Sequence, residues 1–181
     1  MKKQILFIQG GGAGAYEEDE KLAASLSDAL GTEYQVSYPP MPNEESPEGE
    51  PWMNQISKEL ASLAGKVILV GHSAGGAVLL KYLLKRKITQ PIVGIFLISI
   101  PYWDPEDEPG EEYTLHEGFA SQLPKEVPIF LYHSRDDEWV PFAHLAWYAE
   151  NIPQATIREF DGRGHQFNND LSEVAADIKS L

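Results

Sequence analysis

The chain has 181 residues, 43% of them hydrophobic, and no cysteine. That length suits one domain, 1–181, with a single buried core, and the lack of cysteine excludes a disulfide framework and thiol chemistry. A formal charge of −14 argues against nucleic acid and anionic membrane surfaces as partners, which leaves a small-molecule substrate and a monomer or homodimer.

The acidic residues concentrate at 17–20, 44–50 and 106–117. They read as a solvated surface that keeps the chain soluble; a sharper reading is a negative field at the site that disfavours anionic substrates. After Lys2-Lys3 the apolar run Ile5-Leu6-Phe7-Ile8 stops at Gln9-Gly10, too short for a secretory signal or a membrane span, so a cytoplasmic location is expected.

Residues 4–9 have the pattern of a buried strand, a short apolar run ending at glycines. Over 18–30 apolar residues recur at helical spacing (Leu22, Ala23, Leu26, Ala29, Leu30) until Gly31 stops the helix. A second strand, 34–38, closes at Pro39-Pro40. A loop rich in Pro and Glu runs to Pro51, and 52–64 offers a helical face through Ile56, Leu60 and Leu63. The third strand is 66–70, with a helix over 74–85 behind it. Strands follow at 92–98, 128–133 and 156–160, and helices at 141–151 and 171–181. The stretch 102–123 is expected to be a small cap or a loop, with helix over 115–123. This alternation predicts an α/β fold, a parallel sheet covered on both faces, with the strands' C-terminal ends on the edge where ligands bind.

Gly71-His72-Ser73-Ala74-Gly75 matches G-x-S-x-G between an apolar strand and an apolar helix. In that context the serine sits on a sharp turn whose neighbours must be small, and the start of the helix favours negative charge there. Ser73 is the expected nucleophile. A serine hydroxyl needs a base. His165, in Gly162-Arg163-Gly164-His165, lies on a turn after the last strand that can fold back over the sheet edge, and His133, ending the fifth strand, is its rival. His72 is expected to point away from Ser73 as a packing residue, and His116 and His144 to be surface or packing residues. Asp136 and Asp137, after the fifth strand, can each orient the base, the other capping a turn or pairing with Arg135; Asp161 is a weaker choice. The oxyanion needs N–H donors: the Ala74 amide, and one from Gly10-Gly11-Gly12, with Gly11 favoured over Gly12. Gly10-x-Gly12-x-x-Ala15 also fits a dinucleotide fingerprint. Against that stand the acids Glu17-Glu18-Asp19-Glu20 where a pyrophosphate would sit, and a second strand ending Ser37-Tyr38-Pro39 without a ribose-binding acid.

The glycine turn, the G-x-S-x-G elbow, Asp137-Glu138-Trp139-Val140-Pro141 as D-x-x-V-P and the late Gly164-His165 together resemble the α/β-hydrolase superfamily over nearly the whole chain. The compact size is similar to the serine hydrolases related to retinoblastoma-binding protein nine and to small bacterial carboxylesterases. The resemblance implies a three-layer fold of about six parallel strands in the order 2-1-3-4-5-6, the superfamily's two leading antiparallel strands having no counterpart. It also implies Asp137, rather than Asp136, as the third member of the set Ser73, Asp137, His165. Gln9 departs from it, since many relatives carry histidine there. The expected function is hydrolysis of small soluble esters through an acyl-enzyme, without metal or organic cofactor. Tyr102, Trp103, Trp139 and Phe142 flank the site loops and are expected either to line an acyl pocket or to pack. A catalytically silent binding protein on the same fold is the alternative.

Overall fold

The central strands are apolar on both sides, and the sheet they build is buried on both faces there. In β1 (Lys3–Ile8) Ile5 and Phe7 join one core while Leu6 and Ile8 join the other, all fully buried. The computed structural model describes residues 2–103 and 113–181; residues 104–112, in the middle of the expected cap, lie outside the described residues.

The other strands are β2 (Tyr34–Ser37), β3 (Val67–His72), β4 (Ile92–Ile98), β5 (Ile129–Ser134) and β6 (Thr156–Phe160). They form one six-stranded sheet in the order β2-β1-β3-β4-β5-β6, and every pairing is parallel. Helices α1 (Ala15–Leu30) and α5 (Ser172–Lys179) cover one face, packing Leu22, Leu26, Val174 and Ile178 against Ile68, Val70 and Phe96. Helices α2 (Gly49–Ser62), α3 (Ser73–Lys85) and α4 (Ala143–Asn151) cover the other, where Trp52, Ile56, Leu79 and Tyr148 meet Leu69, Ile95 and Leu97. This is the expected three-layer arrangement and strand order.

Helix ends differ from expectation for local reasons. Helix α2 starts before Pro51, which sits in its first turn, where its missing N–H is not needed. Helix α1 starts at Ala15, ahead of residue 18, and its buried stripe includes a charged residue: Ala15, Asp19, Leu22, Ala23, Leu26, Leu30. Helix α4 begins two residues later than expected, and α5 is shorter at both ends. The helix expected over 115–123 is not formed: there is only a 3₁₀ turn, Phe119–Gln122. Gly118 in the left-handed region and Pro124 bracket a segment too short for an α-helix, yet Leu115, Phe119 and Leu123 still bury against the α2–α3–α4 core. No helix among the described residues is long and apolar enough to cross a membrane.

Candidate active site

Ser73 stands where β3 passes into α3, with φ +50°, a backbone state that costs a non-glycine residue about 1–3 kcal/mol. Close approach at the elbow holds it there. A Cβ on Gly75 would lie 2.0 Å from the Gln9 carbonyl oxygen, and one on Gly76 2.3 Å from Ile100 Cγ2. The start of α3 is thus seated directly on the ends of β1 and β4, and Ser73 faces a cleft at the strands' C-terminal edge.

That cleft has a volume of about 860 Å³ and is lined by the glycine loop from Gly10 to Ala13, by Ser73, Ala74, His165 and Gln166, and by Tyr102, Trp103 and Trp139. Trp139 is 77% exposed. Phe142, expected in the pocket, is not part of its lining. Its ring faces the Arg135 guanidinium at 4.8 Å and the edge of His133 at 5.6 Å. His144, expected on the surface or in packing, does line the cleft, and its Nδ1 accepts the Tyr102 amide at 2.8 Å.

Loops after β5 and β6 bring Asp137 and His165 together. His165 Nδ1 lies 3.0 and 2.9 Å from the two oxygens of Asp137. Asp137 also accepts the Trp139 amide at 2.9 Å, the Val140 amide at 2.8 Å and His133 Nε2 at 3.1 Å. Burial works against its charge, but the hydrogen bonds from His133, His165 and Val140 prevail and hold the carboxyl well below the usual carboxylate range. His133 therefore lies behind the carboxylate, sharing its Nε2–H with the Val140 carbonyl at 3.0 Å, and does not line the cleft. Among the described residues the Ser73 hydroxyl has no hydrogen-bond partner; it shares the cleft with His165 without a bond between them.

The other acids have separate places. Asp136 accepts the Ser134 hydroxyl and the amides of Arg163 and Gly164 at 3.2 and 3.3 Å, so it braces the turn that carries His165. Asp161 is 83% exposed and pairs with Arg135 at 3.4 Å. His116 is exposed. Glu138, which pattern reasoning left without a role, accepts the His165 main-chain N–H at 3.0 Å.

Glu44 organises the glycine loop. Its carboxylate accepts the Gly14 amide at 3.2 Å, the Tyr16 amide at 2.8 Å and Gln9 Nε2 at 2.8 Å, while its carbonyl accepts the Gly12 amide at 2.6 Å. Gln9, fully buried, also accepts the Met41 amide at 3.1 Å. Two consequences follow. The Gly12 amide is engaged by Glu44 and the Gly10 amide by Asp19 at 2.7 Å, and Gly11 sits beside Ala74, a Cβ on it lying 3.3 Å from the Ala74 Cβ. Moreover, the start of α1, where a dinucleotide pyrophosphate would bind, already holds the Glu44 carboxylate, which disfavours that reading.

His72 is buried as expected, but it is more than packing: its Nδ1 lies 2.8 Å from Asp19 Oδ2 and its Nε2 3.1 Å from the His165 carbonyl. The two residues are 53 positions apart, and a charge on the buried stripe of α1 was the one sequence sign of it. No group of three or more His, Asp or Glu side chains among the described residues gathers as a metal-ligand set.

Six parallel strands in this order, helices on both faces and a serine on a strand-to-helix elbow define the α/β-hydrolase fold. The chain belongs to the serine hydrolase family, whose sequence profile matches residues 17–171, and it is a hydrolase. No curated protein sequence matches it. Among solved structures it is similar to the ydeN gene product from B. subtilis, with 24% identity and a TM-score of 0.76 over 99% of this chain and 98% of that one. It is also similar to a meta-cleavage product hydrolase from Pseudomonas fluorescens IP01, with 14% identity and a TM-score of 0.74 over 99% and 90% of the two chains. Ferulic-acid-bound Est1E from Butyrivibrio proteoclasticus shares 16% identity and a TM-score of 0.68 over 98% and 87%. At such identities these likenesses carry the fold.

Proposed function

We propose that the protein is an esterase-type serine hydrolase that works through an acyl-enzyme on small soluble esters. The observation that carries this reading is the two-oxygen contact of Asp137 with His165 Nδ1 on the cleft that also holds Ser73. With Nδ1–H given to a carboxylate, His165 keeps a lone pair on Nε2 and can take the Ser73 proton as the hydroxyl oxygen attacks the acyl carbon. Asp137 stabilises the imidazolium that results. The carbonyl oxygen, now negative, is received by the Gly11 and Ala74 amides, Gly12 being engaged elsewhere. The imidazolium returns its proton to the departing alcohol, and water repeats the sequence to free the acid and Ser73. The aromatic wall of Tyr102, Trp103 and Trp139 supports an apolar acyl or alkoxy group beside the serine.

A fluorophosphonate probe, read by intact mass, tests the nucleophile. Wild type should gain one adduct and Ser73→Ala none; an unlabelled wild type, or a labelled Ser73→Ala, overturns the reading. A panel of p-nitrophenyl esters of rising acyl length, with a matched anilide, then tests ester preference. Faster turnover of the anilide would assign an amidase instead.

A further inference from the structure

The Asp19–His72 pair fixes its own protonation. Each of the two side chains is only 1% exposed. The ring nitrogens of His72 face a carboxylate oxygen and a main-chain carbonyl, both of which only accept. A neutral imidazole donates from one nitrogen and would turn its other lone pair onto an oxygen, so the geometry calls for an imidazolium. Asp19 is in turn the acceptor of three donors: His72, the Gly10 amide at 2.7 Å and Gln166 Nε2 at 3.0 Å. Three donors converging on one carboxyl favour its ionised form. Burial opposes both charges, yet the mutual attraction and hydrogen bonds lower the Asp19 pKa and raise that of His72.

The pair ties four segments to one point: α1, the nucleophile elbow, the glycine loop and the turn that carries His165. Three separate contacts therefore fix His165. Its side chain is held by Asp137, its N–H by Glu138 at 3.0 Å and its carbonyl by His72 at 3.1 Å, with the Ser99 hydroxyl also at 3.4 Å from that carbonyl. The two histidine rings lie 4.8 Å apart. The Nε2 side of His72 faces the His165 residue and its Nδ1 side faces Asp19, so the positive end of the pair is the end nearer the base.

We propose that Asp19 and His72 are positioning residues for His165: a permanent buried ion pair whose imidazolium anchors the main chain of the base. This rests on His165 being the base. The charged groups facing His165 are Asp137 at its Nδ1, Glu138 at its N–H and His72 at its carbonyl; His133 lies behind Asp137, and Asp136 holds the adjacent Gly164 amide. Those facing His72 are Asp19 from α1, Asp137 from the loop after β5, and His165 itself.

The first measurement needs no variant. Nitrogen-detected NMR of the wild-type imidazoles, assigned against His72→Asn, should show both His72 ring nitrogens still protonated on the alkaline side of the ordinary histidine range. A single ring N–H there overturns the proposal. The isosteric Asp19→Asn should remove one of those protons and slow fluorophosphonate labelling by about 10–100-fold, as small misplacements of a base do. Two ring protons retained on His72 in Asp19→Asn, with the full wild-type labelling rate, also overturn it. Failure of wild type to label would instead count against Ser73 and His165 as nucleophile and base, and the ring N–H count would still decide the ion pair.

Discussion

Replacing Asp137 with asparagine turns one oxygen of a carboxylate that accepts five hydrogen bonds into an amide nitrogen. Oδ1 accepts the Trp139 and Val140 amides, so the asparagine oxygen must stay there. Its amide nitrogen then occupies the Oδ2 position, which faces His165 Nδ1 at 2.9 Å and His133 Nε2 at 3.1 Å. Donor would meet donor at both. His165 escapes by moving its proton to Nε2, which puts hydrogen on the atom that must accept from Ser73. The expected loss in kcat/KM is about 10⁴-fold, about 5.5 kcal/mol in the barrier, the size known for this substitution in the serine protease triad. Two charged hydrogen bonds are lost as well, while the two backbone amides stay satisfied, so unfolding should become easier by about 2–3 kcal/mol. Steady-state hydrolysis of p-nitrophenyl acetate and urea unfolding read the two quantities separately. Asp136→Asn, which loosens only the turn at Arg163 and Gly164, should lose less than about tenfold by the same scale. If Asp136→Asn collapses activity while Asp137→Asn stays within tenfold of wild type, the tautomer argument is refuted.

Other expectations use the same geometry. Gly75→Ala drives a methyl group to 2.0 Å from the Gln9 carbonyl oxygen, and because that neighbour is backbone, stability should fall by about 3 kcal/mol or more, seen as a lowered Tm or loss of soluble protein. Glu44→Gln should loosen the glycine loop and lower kcat about tenfold while KM changes little, since the loop's donors matter most when the oxyanion forms; an equal rise in KM would place Glu44 in substrate binding. The described lining of the cleft includes Glu18 and Glu138 and neither lysine nor arginine, so a cationic choline-type ester should exceed an anionic isostere in kcat/KM, and 1 M salt should narrow the gap. Asp19 and Asp137 are both held below the unfolded value of 3.8, so their stabilisation is complete above that value and is lost as pH falls through the lower folded values. The urea midpoint of wild type should therefore drop below about pH 4, and more steeply than that of Asp19→Asn.

What could be read in advance was what depends on neighbours in the chain. An apolar strand, a G-x-S-x-G turn and an apolar helix specify the elbow locally, because crowding there tolerates only small residues. The central strands β1, β3, β4 and β5 were legible because their apolar runs are buried on both faces. The edge strand β6 carries exposed Arg158 and Glu159 and was marked more weakly. Partnerships across the fold were less visible. Asp19 sits in an acidic run that looks like a solvated helix face, yet it falls three residues before Leu22 on the buried stripe, and only that phase marks it as inward. Glu44 lies in a Pro- and Glu-rich loop that carries no periodicity at all; its value comes from ending up over the start of α1, a matter of tertiary placement. His133 lies at the end of β5 while His165 follows β6 on a glycine-flanked turn, which is the one sequence difference between the two rivals. The direction of β5 puts one behind the carboxylate, and the turn after β6 puts the other in front of it.

The long reach of one contact has a consequence for how the protein is made. Asp19 and Gln166 are joined across 147 residues, and the acid and the base arrive on the loops after the last two strands. A nascent chain that has released only β1 to β4 from the ribosome already carries the serine and its glycine loop, but neither of the groups that would make that serine reactive. On the assignment proposed above, the serine has neither acid nor base beside it until β5, β6 and the turns that follow them are in place. A chain cut short during synthesis is then inert rather than indiscriminate.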